Sequence, residues 1–151
     1  MRRWFSFFLT LTLLALPLAA FAAEPAPAKP AHQGKLVFVA MTGLEDLGTL
    51  SSSFRHAATA KKSGHLSDVV WLSWGRAVVA LDPTVKAVPE SVREEARLAQ
   101  EAGVRLVACG NALAKFDIDP KTVTPKGVAV VPNGVTELAR LIAEGYEVIR
   151  Y

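Results

Sequence analysis

The chain has 151 residues, enough for one ordinary domain, and 51% of them are hydrophobic. Its 17 Lys and Arg residues outnumber 14 Asp and Glu residues, but Arg2 and Arg3 belong to a segment expected to be removed, which leaves a net charge of about +1. No run of basic residues with interleaved aromatics is present. The composition therefore argues against a nucleic-acid-binding protein.

The first 23 residues have the order of a secretory signal peptide. Arg2 and Arg3 supply positive charge, residues 4–18 are apolar, and small residues within 20–23 fit a cleavage site. The apolar segment is shorter than the roughly 20 residues of a membrane-spanning helix, and Pro17 lies near its end. We therefore expect a cleaved signal peptide, a periplasmic or secreted mature protein and no stable membrane span. The export route, general secretory or twin-arginine, stays open.

Residues 24–34 are rich in Pro and Ala and are predicted to form a linker, so the folded domain is expected to span residues 35–151. Strand-like and helix-like segments alternate along this domain, which predicts an α/β fold with a mainly parallel sheet and helices on both faces. The predicted strands are residues 35–41, 68–74, 104–109, 128–131 and 146–151. The predicted helices are residues 49–62, 89–102, 112–116 and 135–144.

The apolar pattern also predicts how some segments pack. Trp71, inside the second strand, is expected in the core. The apolar residues 77–81 and 85–88 exceed what a small domain must bury, so part of them is expected at an interface. Residues 132–134 are interpreted as a turn. The following helix is expected to direct four residues inward: Val135, Leu138, Leu141 and Ile142.

The sequence lacks the common motifs of cofactor-dependent enzymes. It has neither of the two common glycine-rich phosphate-binding loops, which makes a nucleotide-using enzyme a distant alternative. It also lacks the nucleophile elbow of hydrolases. His32, His56 and His65 do not have the spacing of metal ligands. No metal site and no cofactor are predicted.

Cys109 is the most informative residue. As the single cysteine it cannot form an internal disulfide. It ends a predicted strand, and in open parallel sheets ligands bind beyond the carboxyl ends of the strands. The free N–H groups of the next helix are expected to favour a thiolate there. The alternative from position alone is a small buried residue that closes the strand.

Four further residues are candidates for binding around this thiol. Gly110 is expected to let a ligand approach the backbone, and Asn111 is expected to cap the following helix. Trp74 and Gly75 lie at the carboxyl end of the second strand, where Trp74 is placed to line the same site.

The residues around Cys109 resemble a known family. Residues 104–111, VRLVACGN, resemble the cysteine-bearing strand and turn of DsrE/DsrF-like proteins, and residues 130–151 resemble that family's closing segment. The resemblance covers residues 35–151. It implies a three-layer α/β/α sandwich that assembles into homo-trimers or homo-hexamers. It also implies a sulfur relay, in which Cys109 matches the cysteine that carries sulfur as a persulfide. Related proteins often have His where this chain has Trp74, so a polar group is missing from the implied site.

Two functions follow as hypotheses. The first is an exported sulfur carrier, sulfurtransferase-like if it is active, whose Cys109 accepts sulfane sulfur and passes it on. Its partners would be sulfur donor and acceptor proteins or small thiols. The second is a non-catalytic, oligomeric binding or assembly module of the cell envelope, with Cys109 as a packing residue. Accessibility of the thiol in the folded protein separates the two.

Overall fold

The computed structural model describes residues 34–151; the predicted signal peptide and residues 24–33 of the predicted linker lie outside the described residues. The first strand begins at Gly34, one residue before the predicted domain boundary. The strands are β1 (Gly34–Ala40), β2 (Leu66–Ser73), β3 (Arg105–Cys109), β4 (Ala129–Val131) and β5 (Tyr146–Arg150). The α-helices are α1 (Leu47–Lys62), α2 (Glu90–Glu101), α3 (Gly110–Lys115) and α4 (Gly134–Ala143), and 3-10 helices cover Leu44–Asp46 and Gly75–Leu81.

The five strands form one parallel sheet in the order β4-β3-β2-β1-β5. Each of the first three connections moves the chain one place along the sheet. The fourth connection, which contains α4, returns across the sheet so that β5 pairs with β1. The predicted α/β fold with a parallel sheet of about five strands is confirmed.

The two faces of the sheet carry cores of different size. The large core contains alternate strand residues such as Phe38 and Trp71, together with buried residues of α1, α2, α3 and the 3-10 helix Gly75–Leu81. The small core consists of strand residues of the opposite parity under Leu141 of α4. In the described part of the chain, three α-helices therefore cover one face and α4 alone covers the other, which completes the expected three layers. No helix within residues 34–151 is both long and apolar enough to cross a membrane.

Trp71 lies at the centre of the large core, as predicted. Its ring stacks on Phe54 with 4.1 Å between ring centroids, and its indole N–H donates to Ser53 Oγ at 2.8 Å. Ser53 in turn donates to the Leu50 carbonyl at 2.6 Å. These two consecutive hydrogen bonds pair the side-chain donors of both Trp71 and Ser53. They therefore orient the tryptophan without leaving a buried donor unpaired.

The packing predictions hold only in part. The apolar residues 77–81 lie in the large core as part of the 3-10 helix, and Val88 is buried there too, so these residues are not available to an interface. Val85 is half-buried and Ala87 is exposed, so an interface at residues 85–88 stays a prediction. Conversely, Val135 and Ile142 are 63% and 52% exposed, although the periodicity placed them inward. The reason is that a helix on this face contacts the sheet along one narrow line, and Leu138 and Leu141 already occupy it.

A polar cluster lies on the α4 face of the sheet, at the amino ends of the strands. Arg105 donates to Asp68 Oδ2 through Nε at 2.9 Å and Nη2 at 2.6 Å, and Tyr146 donates its hydroxyl proton to the same oxygen. Burial by itself raises the pKa of Asp68, but the hydrogen bonds from Arg105 and Tyr146 outweigh it and hold that pKa below its ordinary value. Burial and the neighbouring Asp68 raise the pKa of Tyr146.

Candidate functional site

Cys109 lies where the chain changes direction across the sheet. It is the last residue of β3 and pairs with Val131, the last residue of β4. From β3 the chain continues into α3 on the large-core face, whereas from β4 it continues into α4 on the opposite face. In open α/β sheets, ligands usually bind where neighbouring connections diverge in this way. The sequence predicted that Cys109 ends a strand, but it did not predict that β4 would be the neighbouring strand.

The thiol of Cys109 meets the first residue of α4. The main-chain N–H of Gly134 donates to Cys109 Sγ at 3.1 Å. The helix that contacts the sulfur is therefore α4, and the expectation that the thiol faces the start of α3 is wrong. The residue is only 6% exposed, so in this conformation the sulfur is nearly enclosed.

The other N–H groups at the start of α4 have partners of their own. Asn133 Oδ1 accepts from Val135 N at 2.8 Å and from Thr136 N at 3.2 Å. Residues 132–134 are thus a helix start with an Asn N-cap, rather than the separate turn that was expected. Because Asn133 takes two of the orphan donors, the Gly134 N–H is left for the sulfur.

Gly134 is closely packed against Cys109 and Trp74. A Cβ at this position would lie 3.0 Å from Cys109 Cβ, 3.3 Å from Trp74 Cβ and 3.3 Å from Trp74 Cε3. The carboxyl ends of β2 and β3 and the start of α4 therefore converge on one glycine. Sequence reasoning missed Gly134, although an Asn followed by an amphipathic segment is a helix-start signal.

The predicted binding residues lie around this point in different roles. Trp74 is half-buried beside Gly134. Gly75, directly after it, has a φ of +58°, which allows the chain to turn away from β2. Gly110 faces β4, because a Cβ there would lie 3.0 Å from the Val131 carbonyl oxygen. Its missing side chain admits a neighbouring strand rather than the expected ligand.

Asn111 does not have the expected capping role. It lies inside α3, whose N-cap position is Cys109 and has no side-chain cap. The Asn111 side chain is exposed, and its main-chain N–H donates to the Pro132 carbonyl at 3.2 Å. The structure thus brings Cys109, Trp74 and Gly110 to the start of α4 and leaves Asn111 at the rim. In the part of the chain that is described, no group of three His, Cys, Asp or Glu residues is placed to hold a metal ion.

Comparison with known proteins places this arrangement in a family. The model of the DsrE/DsrF-like family matches residues 34–151, which is the whole described domain. The chain belongs to the DsrE/DsrF-like family. No curated protein sequence matches it.

Solved structures share the fold of this DsrE/DsrF-like chain. The ychN protein from E. coli is 19% identical, with a TM-score of 0.61 over 78% of this chain and 99% of its own. MTH1491 from Methanobacterium thermoautotrophicum is 22% identical, with a TM-score of 0.60 over 78% of this chain and 99% of its own. BT1422 from Bacteroides thetaiotaomicron is 21% identical, with a TM-score of 0.60 over 78% and 94%. The last two are described as proteins of unknown function.

Proposed function

We propose that this DsrE/DsrF-like protein is an exported sulfur carrier that holds sulfane sulfur as a persulfide on Cys109. The observation that carries the proposal is the hydrogen bond from the Gly134 N–H to Cys109 Sγ, at the start of a helix and at the point where the chain leaves β3 and β4 towards opposite faces of the sheet. A helix start stabilises negative charge, which a sulfur atom bears whenever it acts as nucleophile or leaving group in thiol exchange.

The transfer needs no external oxidant or reductant. In loading, the Cys109 thiolate attacks the outer sulfur of a donor persulfide, the new S–S bond forms on Cys109, and the donor's S–S bond breaks to release the donor thiolate. In unloading, an acceptor thiolate attacks the outer sulfur on Cys109, and Cys109 leaves as a thiolate. Because Cys109 is the single cysteine, the acceptor is another protein or a small thiol.

The enclosure of the thiol adds a condition to this function. With Cys109 only 6% exposed and Trp74 packed beside Gly134, Sγ has little room to meet the outer sulfur of a donor persulfide. We propose that loading follows a local opening at the first turn of α4. Such an opening costs less than unfolding the domain, because within residues 34–151 α4 is the single helix over the small core.

The test is to add polysulfide, or thiosulfate with a sulfurtransferase, to the mature protein and measure its intact mass. We expect a gain of about 32 Da, one sulfur atom, that reducing agent removes and that Cys109→Ser lacks. Lys62→Ala serves as the control, because Lys62 is exposed in the last turn of α1, on the face of the sheet opposite α4. A wild-type protein that gains no sulfur refutes the carrier role.

Export and assembly belong to the same proposal and have their own tests. A cleaved signal peptide would give a mature protein that begins near Ala23 or Glu24, which N-terminal sequencing of envelope protein checks; an intact Met1 contradicts it. For assembly we propose a homo-trimer or homo-hexamer, as the family resemblance implies. The exposed Val135 and Ile142 on α4 offer apolar surface for such contacts. Light scattering that shows a monomer at micromolar concentration contradicts assembly.

The second candidate is a non-catalytic binding or assembly module of the cell envelope. The burial of Cys109 favours it, because a thiol that accepts the Gly134 N–H also completes the packing of α4. In that case the folded protein gains no sulfur and resists alkylation, while Cys109→Ala lowers its stability because the Gly134 N–H loses its acceptor. Alkylation and mass measurements on the same sample therefore separate the two functions.

A further inference from the structure

We infer that α4, β5 and Tyr151 form a lid, which is fastened by a tyrosine at each end of β5 and opens as one unit to uncover Cys109. This inference rests on the proposed function, because it names the movement that loading of Cys109 requires. The lid, residues 134–151, is continuous along the chain, and its first residue lies against Cys109. An opening of the whole lid therefore removes the cover of the thiol.

The lid has packing of its own and leaves most of the domain independent of it. Leu138 and Leu141 of α4 pack in the small core with Tyr146 and Val148 of β5. Within residues 34–151, β5 lies at the edge of the sheet and pairs with one strand, β1. Apart from Tyr151, the residues of the large core come from segments that precede the lid. Opening the lid would therefore expose the small core and keep the large core, which costs only part of the global unfolding free energy.

Tyr146 fastens the start of β5 to strands that are not its neighbours. In the register of the sheet, Lys35 of β1 lies between Tyr146 and Asp68 of β2. The Tyr146 hydroxyl spans β1, donates to Asp68 Oδ2 and accepts from Arg105 Nη2 of β3 at 2.9 Å. Lys35 Nζ lies 5.3 Å from the centre of the Tyr146 ring and donates to the Glu144 carbonyl at 3.2 Å. One side chain thus joins the lid to three strands.

Tyr151 fastens the other end of β5 on the opposite face of the sheet. Its ring lies 5.9 Å from the ring of Phe38 in the large core, and its hydroxyl is hydrogen-bonded to His56 Nδ1 of α1. Its main-chain N–H donates to the Val39 carbonyl, and its carbonyl accepts from Met41 N, both at 2.8 Å. The two tyrosines hold β5 at both ends and on both faces, so both contacts must break when the lid opens.

Opening as a unit has a consequence that fraying of one helix turn does not have. Arg105 and Cys109 stand at opposite ends of β3, about 13 Å apart in an extended strand. The Tyr146 hydroxyl lies at the Arg105 end, so its removal acts far from the thiol. If the lid opens as a unit, this distant change makes Cys109 easier to reach. If only the first turn of α4 frays, it does not.

The test is native-state amide hydrogen exchange of the mature protein, followed by NMR at low urea concentrations. The amides of α4 and β5 are expected to share one opening free energy, which is lower than that of the β2 and β3 amides. Tyr146→Phe should raise exchange of the lid amides about tenfold, because a hydroxyl bonded to two charged groups is lost. Ser53→Ala is the matched control. Its lost bond to Trp71 lies in the large core, so it should speed exchange in β2 and β3 and leave lid exchange unchanged.

Alkylation of Cys109 by iodoacetamide in the folded protein gives the second readout. Its rate should rise about tenfold in Tyr146→Phe and stay at the wild-type value in Ser53→Ala. Different opening free energies for α4 and β5, or unchanged lid exchange or alkylation in Tyr146→Phe, overturn the lid. If Tyr146→Phe does not fold, Tyr151→Phe removes the hydroxyl at the other end and is judged by the same measurements. Neither readout uses sulfur transfer, so a wild type that gains no sulfur refutes the carrier function and not the lid.

Discussion

Removal of the Asn133 cap is expected to loosen the start of α4 and speed the reaction of Cys109. Asn133 Oδ1 accepts two N–H groups of α4, and Asn133→Ala leaves both without that partner. Loss of an Asn N-cap costs about 1 kcal/mol. α4 packs on the small core through few residues, and Leu141 is its one fully buried leucine. We therefore expect most of the lost free energy to reduce the stability of the closed state of α4 relative to its open state.

The size of the effect follows from that free energy. If a reagent reaches Cys109 only when the first turn of α4 opens, a cost of about 1 kcal/mol raises the open population about fivefold. Alkylation of the folded Asn133→Ala protein by iodoacetamide is then about fivefold faster than in wild type, measured by intact mass over time. Urea unfolding of the same sample should show a loss of stability of about 1 kcal/mol.

The control and the refuting result are equally direct. Lys62→Ala removes an exposed side chain in the last turn of α1, on the face of the sheet opposite α4, so its alkylation rate and stability should match wild type. If Asn133→Ala loses the expected stability but is alkylated at the wild-type rate, the thiol is reached without movement of α4. The proposed opening would then be wrong, and Trp74 would be the next element to test.

Three further predictions concern the rest of the domain. Ser53→Ala leaves the buried Trp71 indole N–H without an acceptor and should cost about 1–3 kcal/mol of unfolding free energy in urea. This loss should exceed any change in the control Ser52→Ala on the same helix, and equal stabilities of the two variants would contradict the prediction. Since the pKa of Asp68 is lowered in the folded protein, wild type should be more stable than Asp68→Asn at neutral pH and lose that advantage below about pH 4. A difference in unfolding free energy that stays constant with pH would count against the cluster. Gly75→Ala should cost about 1 kcal/mol, because φ is +58° there, and an unchanged melting temperature would refute it.

Much of the fold could be predicted because local signals and tertiary structure agree. The strands β1, β2 and β3 each contain a continuous apolar segment, as strands covered on both faces require, and α2 starts after Pro89 and ends before Gly103. The alternation of these elements predicts the parallel sheet. The order β4-β3-β2-β1-β5 carries no such local signal, since it depends on which strand each helix returns to.

The site could be predicted only in part for the same reason. Cys109 and Trp74 are visible because each ends a strand. Gly134 became a site residue only when β4 paired with β3 and brought the start of α4 to the sulfur. The prediction that Val135 points inward is wrong because the apolar pattern of a helix does not show how much of its apolar face other elements cover.

The crossover that contains α4 has a consequence for the order in which the protein matures. Cys109 belongs to a sheet whose first four strands follow one another along the chain, but the donor and the cover of its sulfur both come from the segment that begins at Gly134. That segment is anchored by Leu141 in the small core and by the pairing of β5 with β1, a contact between opposite ends of the domain. A chain that has formed the first four strands but not yet α4 and β5 would leave the thiol uncovered. A polypeptide delivered amino end first would thus expose Cys109 to oxidants before α4 covers the thiol. The thiol would become protected at the same moment as the fold is completed.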